Sequence, residues 1–286
     1  MMVIRKGGAI MSLKKQKKIA IVNDFTGFGR CSIAVALPII SAMKIQCCPL
    51  PTAILSAHTG FPSFFFDDYT PHMRDYMNNW KELNLKFDGI CTGFLGSKEQ
   101  IDIVVEFLGN FKTKNTIVMV DPVMGDYGQL YSTYTQEMCD EMKKLIQYAD
   151  VMTPNLTEAC RLLDIPYPER AMNLVQLENI AKELCTKGPN IIVITGLQHN
   201  GNIRNFIYES GKPYTIIEVK KIGEDRSGTG DVFTSIVAAN IVKGVDIVTA
   251  VKKATDFISK AIDYTTKIGT PVCDGICFEE YLNELK

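Results

Sequence analysis

Short runs of β-branched and apolar residues alternate with helical patterns along most of this chain, and that alternation limits its fold more than any other feature. Residues 19–22 read as a buried strand and 33–43 as an apolar helix; 45–52 is extended and 89–92 a short strand. Ser97-Lys98-Glu99-Gln100 has capping-box spacing and opens a helix toward Phe111. The strand 116–120 is bounded by Asp121-Pro122, and Thr133 to Gln136 repeats the capping-box spacing ahead of a helix ending near Tyr148. A strand at 151–153 stops at Pro154, and Asn155-Leu156-Thr157-Glu158 carries the acidic fourth position of another helix start. A helix over 177–187 stops at Gly188-Pro189 and strand 191–195 follows. Residues 203–208 and 214–219 flank Gly211 as an antiparallel pair, and long helices cover 231–243 and 247–264. Apolar strands separated by helices belong in a mostly parallel sheet covered on both faces, an α/β/α sandwich. No linker, repeat or low-complexity tract interrupts residues 19–286, which predicts a single domain. Residues 1–18 lack periodicity, carry the basic run Lys14-Lys15-Gln16-Lys17-Lys18, and read as a solvated tail.

Composition narrows the partners. The 286 residues are 46% hydrophobic and 22% charged, ordinary for a folded domain, and the formal net charge of -1 gives no basic footprint for nucleic acid. No apolar run approaches the roughly 20 residues that span a bilayer. The nine cysteines are odd in number and mostly sit in apolar-periodic segments of a chain too long to need staples. Reduced thiols and a cytoplasmic location are therefore expected. Cys273 and Cys277 lack the spacing of a zinc site. Trp80, after a predicted helix, reads as a packing residue.

In an open parallel sheet, ligands bind beyond the carboxyl ends of the strands. Polar residues recur there: Asn23 and Asp24, Thr52 through His58 and Thr59, Thr92 to Phe94, Asp121 and Asp126, Thr153, Asn155 and Glu158, Thr195 and Gly196. Singly each could be a cap or turn residue; together they favour one cleft. The sharpest local signal is Gly228-Thr229-Gly230-Asp231, entering an apolar helix. Its glycines admit a ligand close to the backbone, and free N–H groups at a helix start bind anions. Asp231 could cap that helix or accept a proton from a hydroxyl nucleophile held beside a phosphate. No Lys-Ser/Thr follows, so this is not a Walker A loop, and Gly27-Phe28-Gly29 is not a full dinucleotide fingerprint.

Gly228-Thr229-Gly230-Asp231 late in the chain, with Asn155-x-x-Glu158 before it, resembles the ribokinase-like superfamily of small-molecule kinases. The segments Asp121-Pro122-Val123-Met124-Gly125-Asp126, Thr153 to Glu158 and His58-Thr59-Gly60 make the chain similar to the vitamin B6 kinase branch from about Lys18 onward. The resemblance implies an ATP-dependent kinase of a B6 vitamer, acting on its 5′-hydroxymethyl group, with Mg²⁺, a monovalent cation such as K⁺, and a homodimeric assembly. It implies Asp231 as catalytic base and Gly228, Thr229 and Gly230 around the transferred phosphate. Asp121, Asn155, Glu158, Thr195 and Gly196 would line the nucleotide phosphates, with Asn155 and Glu158 organising Mg²⁺ through water and Asp126 and Thr153 near the monovalent ion. For the substrate it implies Thr52, Phe94 and Tyr131 at the ring and His58 at the pocket edge. Asn23 stands where many B6 kinases carry serine, and Asp24 where they often carry histidine; Asn23 is expected at the ring. Asp24 is also similar to an acidic residue of hydroxymethylpyrimidine kinases, a sister branch that commonly has cysteine where this chain has Asp231. Hydroxymethylpyrimidine phosphorylation, or non-catalytic binding of pyridoxal phosphate, are the alternatives.

Overall fold

The computed structural model describes residues 15–286. The strand β1 (Lys18–Thr26) leads into α1 (Ser32–Ala42), then β2 (Gln46–Leu55), β3 (Phe66–Asp68), α2 (Thr70–Glu82), β4 (Gly89–Thr92) and α3 (Lys98–Phe111). Next come β5 (Ile117–Val120), a small hairpin of β6 (Gly125–Asp126) and β7 (Gln129–Leu130), α4 (Gln136–Ile146), β8 (Val151–Met152), α5 (Leu156–Leu162) and α6 (Leu174–Cys185). The chain then forms β9 (Ile191–His199), β10 (Asn202–Glu209), β11 (Thr215–Lys220), α7 (Thr229–Val242) and α8 (Ile247–Lys267), and ends in two 3₁₀ turns. Nine strands make one sheet in the order β11-β10-β9-β8-β5-β4-β1-β2-β3. Its six central strands, β9 to β2 in that order, are parallel, and the edges are antiparallel.

Period-two alternation divides the core into two layers. Ala20, Val22, Ile90, Val118, Val120, Met152 and Ile194 face one side, where Met73, Met77, Phe107 and Leu184 of α2, α3 and α6 cover them. Ile19, Ile21, Cys91, Met119, Val151 and Val193 face the other, against Ile33, Ile39, Val232, Ile236 and Ala254 of α1, α7 and α8. This is the expected α/β/α sandwich.

The structure departs from the sequence reading in places. Residues 1–14 of the expected tail lie outside the described residues. The rest of that tail is structured: Lys17 accepts from the Gln46 amide at 2.9 Å, and Lys18 begins β1 and donates its own amide to Asp88 Oδ2. The edge strand β3 was not anticipated, and Trp80 lies within α2, not after it, packed edge-on against Tyr76 at 5.1 Å. Ser97 caps α3, but the Gln100 side chain reaches the Gly96 amide and the neighbouring β2–β3 region instead of closing the box. The cap of α4 is Thr135, not Thr133, because Tyr134 is buried and anchors the turn, so the helix starts only after it. The helix α6 begins earlier than expected, at an unnoticed Asn173–Gln176 capping box. All nine cysteines are free, and among the described residues no helix is long and apolar enough to cross a membrane.

Candidate active site

A cleft of about 1120 Å³ opens along the carboxyl ends of the parallel strands. The order of the sheet brings residues more than 200 positions apart to its floor. At the end of β1 the register against β2 shifts between Asn23 and Phe25. The shift breaks the alternation that would send neighbouring side chains to opposite faces, so Asn23 and Asp24 are both buried, 6% exposed each, and both line the cleft. Asp24 accepts from the hydroxyls of Thr26 and Ser32, both at 2.6 Å, and thereby ties the β1–α1 turn together.

The glycine-rich turn has the geometry of an anion site. Gly228 is the N-cap of α7 with φ +72°, and a Cβ there would lie 1.8 Å from the Arg30 carbonyl oxygen, so only glycine fits. No side chain caps this helix. A Cβ on Gly230 would meet nothing within 4 Å, which leaves the first-turn amides open to a ligand. Asp231 sits at the third helical position, so the N-cap alternative weighed from sequence does not hold. Its Oδ1 accepts from Asn23 Nδ2 at 3.1 Å.

Four further acids share the space. Asp121, at the end of β5, accepts from Thr234 Oγ at 3.0 Å. Asn155 and Glu158 form a complete capping box on α5, with Asn155 Nδ2 also donating to the Gly125 carbonyl at 2.7 Å. The other oxygen of Glu158 accepts from the Met124 amide at 3.2 Å. Burial raises Asp231 to about 6, with Asp24 adding to the rise and the Ser32 amide and Asn23 opposing it. Burial raises Asp121, with Asp231 adding to the rise, and burial raises Glu158, with Asp121 and Asp126 adding; burial also raises Asp24 and Asp126. No lysine or arginine among the described residues offsets the charge on Asp121, Glu158 or Asp231. Buried carboxylates that repel each other without a counter-ion suit a bound cation. Among the described residues no three His, Cys, Asp or Glu side chains converge as a metal cluster.

The remaining expected residues divide. Phe94, Tyr131, His58, Asp126, Thr153, Thr195 and Gly196 all line the cleft. His58 Nδ1 accepts from the Gly60 amide at 3.1 Å, so the ring nitrogen Nε2 donates to the Cys273 carbonyl at 2.7 Å. The buried Thr153 hydroxyl lies beside Asp121 and helps to hold its carboxyl down, without a full hydrogen bond among the described residues. Thr52 does not reach the cleft: it is fully buried and its hydroxyl donates to the Phe94 carbonyl at 3.0 Å, so it supports the floor instead of contacting a ring. The sequence reading missed the apolar wall at one end, built by Val219, Ile222, Ile258 and Ile262 from β11, the loop after it and α8. It also missed Tyr127 of the β6–β7 hairpin, whose hydroxyl donates to Asp225 and accepts from Gln198 at 2.8 Å, and Arg226, which binds the carbonyls of Thr270 and Pro271.

A family model described as phosphomethylpyrimidine kinase matches residues 74–274. The chain is 39% identical to a Bacteroides thetaiotaomicron protein assigned to the phosphomethylpyrimidine kinases, with a TM-score of 0.93 and 96% of each chain covered. A second crystal form of that protein, with a TM-score of 0.91, was solved with pyridoxal. It is 26% identical to the pyridoxal kinase of Lactobacillus plantarum, with a TM-score of 0.87 over 94% of this chain and 96% of that one. It is 27% identical over 256 residues to the hydroxymethylpyrimidine/phosphomethylpyrimidine kinase of Aquifex aeolicus, covering 88% of this chain and 90% of that one. It spans 48% of the length of the thiamine biosynthetic bifunctional enzyme of Arabidopsis thaliana, to which it is 25% identical. Fold and relatives define a small-molecule kinase of ribokinase-like architecture. The chain belongs to the phosphomethylpyrimidine kinase family, and its relatives include both pyridoxal kinases and hydroxymethylpyrimidine kinases.

Proposed function

We propose that the protein transfers the terminal phosphate of ATP to the 5′-hydroxymethyl group of a vitamin B6 vitamer. The observation that carries this reading is the placement of Asp231. An acid raised to about 6 and open to the cleft stands one helical turn inside an uncapped anion site. There it can accept the hydroxyl proton as oxygen attacks phosphorus, while the amides of the Gly228–Asp231 turn face the charge that develops on the phosphate. Phosphoryl transfer needs mainly alignment and charge neutralisation, which this cleft offers. Thr195, Gly196 and the apolar wall of Val219, Ile222, Ile258 and Ile262 suit a nucleotide, and Phe94, Tyr131 and His58 surround space for a flat ring.

Asp121 and Glu158 are the residues that would hold Mg²⁺, through water and the nucleotide phosphates, with Asp126 and Thr153 toward a monovalent cation. Bound there, Mg²⁺ neutralises phosphate charge. We further propose a homodimer, on the family resemblance alone. Pyridoxal in the crystal form of the 39% identical relative favours a B6 vitamer over hydroxymethylpyrimidine.

The test is product identity. Purified protein incubated with ATP, Mg²⁺ and pyridoxal should yield pyridoxal 5′-phosphate and ADP in equal amounts, and Asp231→Asn should not. ATP consumption with hydroxymethylpyrimidine but with no B6 vitamer would transfer the assignment to the sister activity.

A further inference from the structure

We infer that Asn23 is a positioning residue for Asp231, holding one carboxylate oxygen so that the other is presented to the substrate hydroxyl. The inference rests on the reading of Asp231 as base. It reassigns Asn23, which the sequence places at the substrate ring.

The Asn23 side chain has little freedom. Its Oδ1 accepts from two backbone amides, Phe94 at 2.8 Å and Asp24 at 3.0 Å. Carbonyl oxygen accepts and NH₂ donates, so these two bonds fix which end of the amide is which. The NH₂ group is left pointing at Asp231 Oδ1, 3.1 Å away. Packing enforces the same pose. Gly93 passes so close that a Cβ there would lie 2.5 Å from Asn23 Cγ. Asn23 itself sits on β1, which pairs with β2 and β4 on either side.

Such a neighbour is suited to a base. It is neutral, so it adds no charge to a site already holding Asp24 and Asp121. Its hydrogen bond favours the ionised form that catalysis needs. The Ser32 amide also favours the charged carboxylate, and among the described residues no second side chain donates to it, so a lone pair remains for the substrate proton. With both lone pairs and one N–H committed, Asn23 has little left to offer a ring.

The experiment is a double-mutant cycle read as kcat and KM separately, with ATP and pyridoxal, or with hydroxymethylpyrimidine should it prove the better acceptor. Asn23→Asp keeps the acceptor for the Phe94 and Asp24 amides and replaces the neutral donor by a carboxyl that repels Asp231 or shares its proton. Asn23→Ala removes both, and thermal melting reports whether either still folds. Both should lower kcat about 10–100-fold, the size of one charge-assisted hydrogen bond, with the acceptor KM within about threefold. In an Asp231→Asn background, Asn23→Ala should cost less than about threefold more, because no carboxylate remains to orient. A raised acceptor KM with kcat kept would make Asn23 a ring contact and overturn the inference. So would an undiminished penalty in the Asp231→Asn background, although the base would then stand. Near-normal turnover by Asp231→Asn alone would overturn both readings together.

Discussion

Replacing Asp231 by Asn should make this protein both slower and more stable. The carboxyl sits at about 6 instead of its usual 3.8 because burial and Asp24 disfavour its charge more than Asn23 and the Ser32 amide favour it. An acid whose folded pKa is raised binds protons more tightly folded than unfolded. It therefore destabilises the native state above about 6, and the penalty fades as pH falls through that value toward 3.8. At about 1.4 kcal/mol for each tenfold change in proton affinity, discounted because Asp231 keeps an open face, the penalty at neutral pH is about 1–3 kcal/mol. Asn keeps the size and the acceptor for Asn23 Nδ2 without the charge. For a chain of this length the gain should appear as a rise of a few degrees in Tm at pH 7.5, shrinking as the pH is lowered toward 4. Turnover should fall about 10²–10⁴-fold, and the wild-type kcat should itself decline below about pH 6 as the base is protonated. Calorimetry and steady-state kinetics on the same preparations test both halves. A lowered Tm with near-normal turnover would show that Asp231 serves the helix and not the chemistry.

The two glycines flanking Thr229 should separate geometry from binding. Gly228→Ala forces a Cβ against the Arg30 carbonyl at a positive φ and should lower both Tm and turnover, while Gly230→Ala meets open space and should keep Tm but raise the ATP KM several-fold. Glu158→Gln should increase the Mg²⁺ concentration for half-maximal turnover, with pyridoxal binding in the absence of nucleotide nearly intact; an unchanged Mg²⁺ titration would remove Glu158 from the metal site. Thr52→Val should lower stability by about 1–3 kcal/mol, since it leaves the Phe94 carbonyl without that donor, and should change the pyridoxal KM less than threefold. A large KM effect with stability kept would place Thr52 back at the ring.

What could be read from sequence follows the physics of each signal. The alternation of buried strands and helices reports layer order, so the sandwich, the β10–β11 pair and the position of the cleft were legible. The Gly228–Asp231 turn was legible because its residue types have few other uses at a helix start. The cap of α4 was misplaced because Thr133 and Thr135 both look like caps, and only the burial of Tyr134 decides between them. The joint burial of Asn23 and Asp24 depends on a register shift between two strands, which neither strand announces on its own. Thr52 looks like a ligand contact from its position at a strand end, yet its hydroxyl is turned to a carbonyl contributed 42 residues later. The apolar wall of Val219, Ile258 and Ile262 reads in sequence as ordinary strand and helix core, and becomes a site surface only where α8 packs against β11 beside the cleft.

The central claim is that this cleft phosphorylates a B6 vitamer. The most direct measurement is a competition assay with pyridoxal and hydroxymethylpyrimidine at equal concentration, limiting ATP and Mg²⁺, with both phosphorylated products quantified in one reaction. The Tyr131 hydroxyl remains in the cleft for a ring substituent, and a site that hydrogen-bonds such a substituent discriminates strongly when that partner is missing. The product ratio, which equals the ratio of kcat/KM values, should therefore exceed tenfold in favour of pyridoxal 5′-phosphate. A ratio favouring phosphorylated hydroxymethylpyrimidine would contradict the assignment and leave the kinase itself in place.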